Sequence, residues 1–225
     1  MTWKPPWINE FKENNHRSRM TLVVRHSEKD KHELESPFSD VHLTSKGIDM
    51  AFTVGREVSF YKDIRIFTSP ITRCVETSKS IIEGYGQDCE VIESNMLGKH
   101  GPFVLDPSVT SRKMEELGDD FVGEYFKYNI DQEVMLSPDI GTIRFMPWLI
   151  SKYLEKEKGL DIHISHDLIV TSFLFSIVDY NVLSKGLVDY LDGFLVYSEN
   201  GRYYLNFRGH EVDIYHYLES KAKQD

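Results

Sequence analysis

The stretch Thr21-Leu22-Val23-Val24-Arg25-His26 decides the fold. Its strand-forming residues predict a short strand buried on both faces, which is typical of a parallel sheet covered by helices. The run ends abruptly in an arginine and a histidine, so the carboxyl end of the strand carries polar side chains. Ligands of open parallel sheets bind at that edge. Residues 21–26 therefore predict a buried parallel sheet and a site beside its first strand.

Strands and helical patterns alternate along the rest of the chain. We predict strands at residues 64–67, 89–92 and 161–165, and helices at residues 45–58, from Pro70 to Gly84 or Gly86, from Ile143 to a stop at Gly159, and at residues 168–180. Asn200-Gly201 separates two further strand-like segments and is a strong hairpin signal. This order predicts an α/β protein, a three-layer α/β/α sandwich with a mostly parallel central sheet and an antiparallel addition.

The domain organisation is expected to be simple. The 225 residues contain no repeat and no long linker, so we expect a single domain from residue 21 to residue 225. Residues 1–20 precede the first predicted strand and are expected to be an N-terminal extension. Residues 108–136 have helical character in two pieces with poor periodicity, which predicts a helical cap over the sheet.

Composition and charge exclude several classes of protein. The chain has 26 Lys and Arg against 36 Asp and Glu, a net charge of −10, which opposes binding to nucleic acid or to an anionic membrane. No apolar stretch is long enough to span a bilayer, and the first twenty residues lack the apolar core of a secretion signal. Two cysteines in no recognisable pattern are typical of a reduced, cytoplasmic protein. We expect a small-molecule ligand; the oligomeric state is open, a homo-oligomer being one alternative.

Three of the four predicted parallel strands end in residues suited to phosphoryl transfer. Arg25 and His26 follow the first strand, Arg73 follows the second, and His166 and Asp167 follow the fourth. Because the carboxyl ends of parallel strands meet at one edge, we expect these side chains to converge. Two guanidinium groups can clamp a phosphomonoester while a neutral imidazole attacks its phosphorus in line. A carboxylic acid must then protonate the leaving oxygen.

Structural interpretations of the same residues stay open. Arg73 could be an ion-pair partner of Glu76 or Glu35 instead of a phosphate ligand. His163 and His166 are three residues apart, as in some metal sites, but no third ligand stands at a recognisable spacing. We therefore expect neither a metal ion nor a cofactor.

The ordered motifs resemble the signature of the histidine phosphatase superfamily, which includes the phosphoglycerate mutase-like enzymes and the acid phosphatases. The matching segments are residues 21–28, 43–47, 68–77 and 164–167. The resemblance implies a phosphoglycerate mutase-like fold, with His26 as the nucleophile that forms a phosphohistidine. It also implies a phosphate pocket made of Arg25, Arg73 and His166. Residues 97–106 are similar to a stretch in uncharacterised bacterial members of the superfamily.

The general acid is the role that the resemblance leaves open. Mutase-like members have a glutamate after the third strand, where this chain reads Met96-Leu97-Gly98-Lys99-His100, without a carboxylate. Acid phosphatases use the aspartate directly after their second histidine, and this chain has Asp167 there. We therefore expect Asp167 to be the general acid, with Glu28 and Glu93 in reserve.

These observations favour a metal-independent phosphomonoesterase acting on a small phosphorylated metabolite. The mechanism needs His26 unprotonated and Asp167 protonated, which predicts a bell-shaped rate profile that leans towards acid pH. One alternative is a phosphoglycerate mutase-like phosphotransferase, against which the missing glutamate counts. The other is a noncatalytic module that binds phosphorylated ligands. The sequence does not identify the substrate.

Overall fold

The computed structural model describes residues 3–30, 41–98 and 100–222. The strands in chain order are β1 (Arg19–Arg25), β2 (Ile64–Thr68), β3 (Glu90–Glu93), β4 (Gly159–Ser165), β5 (Gly193–Glu199), β6 (Arg202–Phe207) and β7 (His210–Asp213). The α-helices are α1 (Ile8–Glu13), α2 (Ser45–Val58), α3 (Thr72–Tyr85), α4 (Pro107–Leu117), α5 (Asp120–Phe126), α6 (Pro138–Leu154), α7 (Asp167–Val178), α8 (Val182–Lys185) and α9 (Ile214–Ala222). A single 3₁₀ turn at Asn95–Leu97 follows β3.

The strands form one seven-stranded sheet in the order β3-β2-β4-β1-β5-β6-β7. The first four strands of the chain pair in parallel, and β5, β6 and β7 are added in antiparallel fashion. The predicted fold class, a mostly parallel sheet between helical layers, is confirmed. Because β2, β4 and β1 are direct neighbours, their carboxyl ends lie side by side.

Helices cover both faces of the sheet. Side chains alternate along β1, so Val23 packs in an apolar cluster with α6 and α7, while Leu22 and Val24 pack with α2 and α3 on the other face. Every residue of β1, β2 and β4 except Arg25 is buried. The sheet centre is therefore a rigid support for the residues that follow these strands.

Turn and capping signals in the sequence set several boundaries. The Thr44 side chain accepts a hydrogen bond from the Gly47 amide at the start of α2, as expected for an N-cap. Gly86 ends α3 in the left-handed conformation, with φ of 74°. Asn200 and Gly201 also have positive φ, 51° and 74°, and join β5 to β6 in the predicted hairpin.

Some predicted boundaries were wrong. The helix predicted from Ile143 begins earlier, at Pro138, because Ser137 caps it and proline suits its first turn. It ends at Leu154, and Gly159 instead begins β4 with φ of 101°. Likewise, α3 begins at Thr72, after Pro70 rather than with it.

The N-terminal residues and the predicted cap both pack on the sheet. Trp7 and Phe11 in and beside α1 are 2% and 0% exposed and join the cluster that contains α2 and α3. Residues 108–136 contain α5 and most of α4, and Phe121, Tyr125 and Phe126 join the cluster that contains α6 and α7. β1 begins at Arg19, inside the predicted extension. The proposed domain boundaries stay a prediction.

Across the described ranges, the structure has no helix with both the length and the apolar character needed to cross a bilayer.

His163 of β4 is a buried histidine in the core between the sheet and α6. Its ring stacks on Phe67 at 4.5 Å between centroids and meets Trp148 edge-on at 5.4 Å. Neither ring nitrogen has a hydrogen-bond partner within the described parts of the chain. Burial lowers the pKa of His163 to about 3. The folded protein therefore keeps this ring neutral, whereas the unfolded chain takes up a proton below about pH 6.5.

Replacing His163 with phenylalanine is expected to reduce acid sensitivity. The wild-type chain loses stability through this group as pH falls from about 6.5 towards the folded pKa of about 3, by up to about 1.4 kcal/mol per pH unit. The free energy of unfolding, measured in urea, should therefore rise for His163→Phe relative to wild type as the pH is lowered from 7 to 5. Replacement of the exposed His16 with glutamine is the control for the loss of a histidine. A difference that is constant with pH would contradict this account.

Candidate active site

Three buried side chains from three adjacent strand ends meet at one point. His26 follows β1, Arg73 lies in the first turn of α3 after β2, and His166 follows β4. Arg73 Nε donates to His26 Nε2 at 3.0 Å, and Arg73 Nη2 donates to His166 Nδ1 at 3.0 Å. The two imidazole ring centroids are 5.5 Å apart. The convergence expected from the sequence is present for these three residues.

The hydrogen bonds of His26 determine its tautomer. Its Nδ1 lies 2.8 Å from the Ser27 carbonyl oxygen, which can only accept, so Nδ1 carries the proton. Nε2 accepts from Arg73, which can only donate, so Nε2 presents a lone pair. Burial, then electrostatic coupling to His166 and the positive charges of Arg73 and Arg25, hold the pKa of His26 well below its usual range. The ring is therefore neutral at neutral pH, with its nucleophilic nitrogen turned towards Arg73.

His166 is held as a neutral ring by the same arginine. Its Nδ1 accepts from Arg73, and its Nε2 donates to Ser69 Oγ at 3.0 Å. Burial and the Arg73 charge lower the pKa of His166. The Ser69 hydroxyl can also donate, so the opposite tautomer, with Nδ1–H facing the site, is available when an anionic oxygen replaces the Arg73 contact.

The backbone that carries His26 is tied to its neighbours. The His26 amide donates to the Ser165 carbonyl of β4 at 2.8 Å. The Ser27 amide donates to Thr77 Oγ1 at 3.0 Å, and the Ser27 hydroxyl donates to the Gly47 carbonyl at 2.6 Å. These contacts connect the segment after β1 to α2, α3 and β4, which leaves the His26 ring little freedom. Sequence reasoning did not single out Ser27 or Thr77, because polar residues in buried turns form no periodic pattern.

Arg25 lies beside the three central side chains and is held by the segment before β5. Its Nη1 donates to the Val188 carbonyl at 2.7 Å, and its guanidinium lies over the Tyr190 ring at 4.1 Å. The Tyr190 ring centroid is 5.9 Å from that of His26, so this tyrosine also flanks the His26 ring. Arg25 Nε is buried and has no hydrogen-bond partner within the described residues. The sequence carried no signal for Val188 or Tyr190, since both lie in an irregular segment.

Asp167 forms an ion pair with Arg25, with Oδ2 and Nη2 2.9 Å apart. Its Oδ1 accepts from the Leu168 amide at 2.8 Å. Burial raises the pKa of Asp167, but Arg25 and the Leu168 amide lower it, and the net direction is down. In this arrangement the predicted general acid is an ionised carboxylate, and 32% of its side chain is exposed.

The two reserve carboxylates, Glu28 and Glu93, have surroundings different from those of Asp167. Glu28 accepts hydrogen bonds from Thr44 Oγ1 at 3.0 Å and from Lys46 Nζ at 2.6 Å, so it supports the start of α2. Glu93 is exposed on the edge strand β3.

Glu76, one alternative partner of Arg73, instead accepts from the Leu43 amide at 2.8 Å and pairs with His42 at 2.6 Å. Glu35, the other, lies outside the described residues. Within the part of the chain that the structure describes, no group of three or more His, Cys, Asp or Glu residues could hold a metal ion.

Gly98, which follows the 3₁₀ turn after β3, passes close to this site. A Cβ added there would lie 2.2 Å from Ser69 Oγ and 3.6 Å from His166 Nε2. The backbone after β3 therefore passes directly against the Ser69–His166 hydrogen bond, where a side chain does not fit.

Comparison with known proteins agrees with this geometry. The family model described as the histidine phosphatase superfamily (branch 1) matches residues 21–97. No curated protein matches the sequence. The family model match, over residues 21–97, includes the segments that carry Arg25, His26 and Arg73.

Solved structures share the fold at low sequence identity. YhfR from Bacillus stearothermophilus is 16% identical, with a TM-score of 0.62 over 84% of this chain and 96% of that chain. A phosphoserine phosphatase mutant from Entamoeba histolytica is 15% identical, with a TM-score of 0.59 over 87% of this chain and 94% of that chain. A phosphoglycerate mutase from Bacillus anthracis is 13% identical, with a TM-score of 0.54 over 90% of this chain and 96% of that chain. The family match over residues 21–97 and the shared fold agree with the resemblance of this chain to the histidine phosphatase superfamily.

Proposed function

We propose that the protein is a metal-independent phosphomonoesterase that hydrolyses a small phosphorylated metabolite through a phosphohistidine on His26. The observation that carries the proposal is the neutral, buried His26 ring, whose Nε2 lone pair faces a guanidinium shared with His166. The match of residues 21–97 to the superfamily model supports phosphatase or mutase-like activity. The positive charge of Arg25 and Arg73 supplies the attraction for the anionic phosphate group.

In the first step, the phosphoryl oxygens take over the N–H groups of Arg73 and the unpartnered Nε–H of Arg25. This releases the lone pair of His26 Nε2, which forms a bond to phosphorus while the bond to the leaving oxygen breaks. The leaving oxygen takes the electron pair of that bond and a proton from Asp167. In the second step, water attacks phosphorus, the P–N bond breaks, and the Asp167 carboxylate accepts the proton of the water.

The proton on Asp167 arrives with the substrate in this scheme. A phosphate monoester has a second pKa of about 6, so its monoanion can deliver a proton to the Asp167 carboxylate. The bound phosphate also competes for Arg25, which raises the pKa of Asp167 from its lowered value. Above about pH 6 the monoanion is lost, so kcat/KM should fall. Because the pKa of His26 is lowered, the acid limb should lie below the ordinary histidine range.

Replacing Asp167 with asparagine should slow hydrolysis most for substrates whose leaving group must be protonated. We expect kcat/KM for an alkyl phosphate to fall by about 10²–10⁴-fold, the usual contribution of a general acid. With p-nitrophenyl phosphate the loss should be less than about tenfold, because its leaving group departs without a proton. The exposed Asp119→Asn is the control. Equal losses on both substrates would remove Asp167 from the role of acid.

The proposal is tested with a panel of phosphomonoesters in the presence of a chelator. Phosphate release, together with a ³²P label on the quenched protein that is labile in acid and stable in base, supports it. Phosphoryl exchange between hydroxyl groups without phosphate release would show a phosphotransferase instead. A folded protein that binds inorganic phosphate but neither labels nor releases phosphate from any ester would show a binding module.

A further inference from the structure

We infer that Trp7, which precedes α1, is a positioning residue of the phosphate site: its indole N–H holds the turn at residues 188–192 that clamps Arg25. The inference rests on the proposed function, since it takes phosphate to be what Arg25 binds. Trp7 lies outside residues 21–97, the part matched by the family model. The contact is therefore a property of this chain rather than of the matched segment.

The turn surrounds Arg25 on both its backbone and its side chain. The Arg25 amide donates to the Asp192 carbonyl at 3.0 Å, and the Leu191 amide donates to the Arg25 carbonyl at 3.2 Å. The Val188 carbonyl accepts from Arg25 Nη1, and the Tyr190 ring lies against the guanidinium. A shift of this turn therefore moves the guanidinium that faces the phosphoryl oxygens.

The conformation of the turn needs outside support. Leu191 has φ of 58°, the left-handed region that is unfavourable for a residue with a Cβ. Its carbonyl accepts from Trp7 Nε1 at 2.9 Å in a buried environment. The N–H of Leu191 thus bonds to Arg25 while its C=O bonds to Trp7, so both polar groups of the strained residue are satisfied.

Trp7 is itself rigidly held. Its side chain is 2% exposed, lies edge-on to Phe11 with ring centroids 5.3 Å apart, and belongs to the same apolar cluster as Leu191. The direction of the indole N–H is therefore fixed by packing. Other contacts also hold the turn: the Val188 amide donates to Thr171 Oγ1 at 3.1 Å. Arg208 also pairs with Asp192 at 2.5 Å. Loss of the Trp7 bond should loosen the turn without detaching it.

The test is the affinity of Trp7→Phe for inorganic phosphate, measured by isothermal titration calorimetry on the full chain. Phenylalanine keeps an aromatic ring but leaves the buried Leu191 carbonyl without its donor, so the Kd of phosphate should rise about tenfold. For a hydrolysed substrate, KM should rise more than kcat falls. The matched control is Tyr85→Phe, which removes a buried donor to the Tyr61 carbonyl in the same apolar cluster, at 3.0 Å. It should lower Tm and leave the Kd of phosphate within about twofold.

A double-mutant cycle separates positioning from general loosening of the fold. In an Arg25→Ala background, Trp7→Phe should weaken phosphate binding no further, because its effect acts through Arg25. If Trp7→Phe is too unstable, benzothienylalanine at position 7 keeps the shape of indole and lacks only the N–H. An unchanged Kd in a folded variant without this N–H, or an equal further loss in the Arg25→Ala background, overturns the inference. Phosphate binding requires no turnover, so the two proposals can fail separately. If the protein has no phosphatase activity but Trp7→Phe still weakens phosphate binding, only the proposed function is overturned.

Discussion

Replacing His26 with alanine should abolish the labelled phosphoenzyme and lower kcat by at least about 10⁴-fold. In the proposed first step, the Nε2 of this ring forms the bond to phosphorus. Alanine also removes the acceptor of Arg73 Nε, so the guanidinium becomes available to the phosphate. The Kd of inorganic phosphate should therefore change far less than kcat.

The matched control for this experiment is His163→Phe. Both histidines are buried with lowered pKa values, and both belong to the central strands or follow them. His163 makes its ring contacts with Phe67 and Trp148 in the core, so its replacement should leave the label intact. A label that survives in His26→Ala, or that disappears in a folded His163→Phe, would contradict the assignment of the nucleophile.

Arg73 should also be a highly sensitive position, and lysine should not replace it. The guanidinium reaches His26 and His166 at once through Nε and Nη2, whereas an ammonium group is a single point of charge. We expect Arg73→Lys to lower kcat by about 10²-fold or more, since at least one charge-assisted donor is lost in the transition state. Arg73→Met, which loses the donors and the charge, should cost about 10³-fold.

The two Arg73 variants should also differ in their pH profiles. After burial and His166, the Arg73 charge is the next cause that lowers the pKa of His26. Arg73→Met removes that charge, so the pKa of His26 should rise and the acid limb of kcat/KM should move to higher pH. Arg73→Lys keeps the charge and should shift the limb less. The exposed Arg144→Met controls for the loss of one positive charge, and a shared shift in all three variants would refute this explanation.

Part of the site could be predicted from the sequence because chain order and strand polarity carry the information. His26, Arg73 and His166 each follow a strand of the parallel part of the sheet, and parallel strands place such residues at one edge. The convergence of these three residues could therefore be predicted without knowing the conformation of any loop. The carboxylate was less certain: Asp167 follows a strand end as expected, but its ion pair with Arg25 depends on where Val188 and Tyr190 hold that arginine.

Boundary errors arose where the start of a helix lies outside its apolar stripe. Ser137 and Pro138 begin α6, but the stripe that identifies the helix starts later, at Ile143. Gly159 resembles a helix stop, yet its positive φ is used at the entry of β4. Local signals of this kind have more than one solution, and packing selects among them.

The sequence itself determined the order of the four parallel strands with the helices between them and the hairpin at residues 200–201. It also determined which residues converge at the strand ends. The reason is that hydrophobic period and turn chemistry act over a few neighbouring residues. The tertiary structure alone decided the contact of Trp7 with Leu191 and the support of Arg25 by Tyr190. Both join residues that are far apart in the chain and carry no local pattern, so only the packed sheet brings them together.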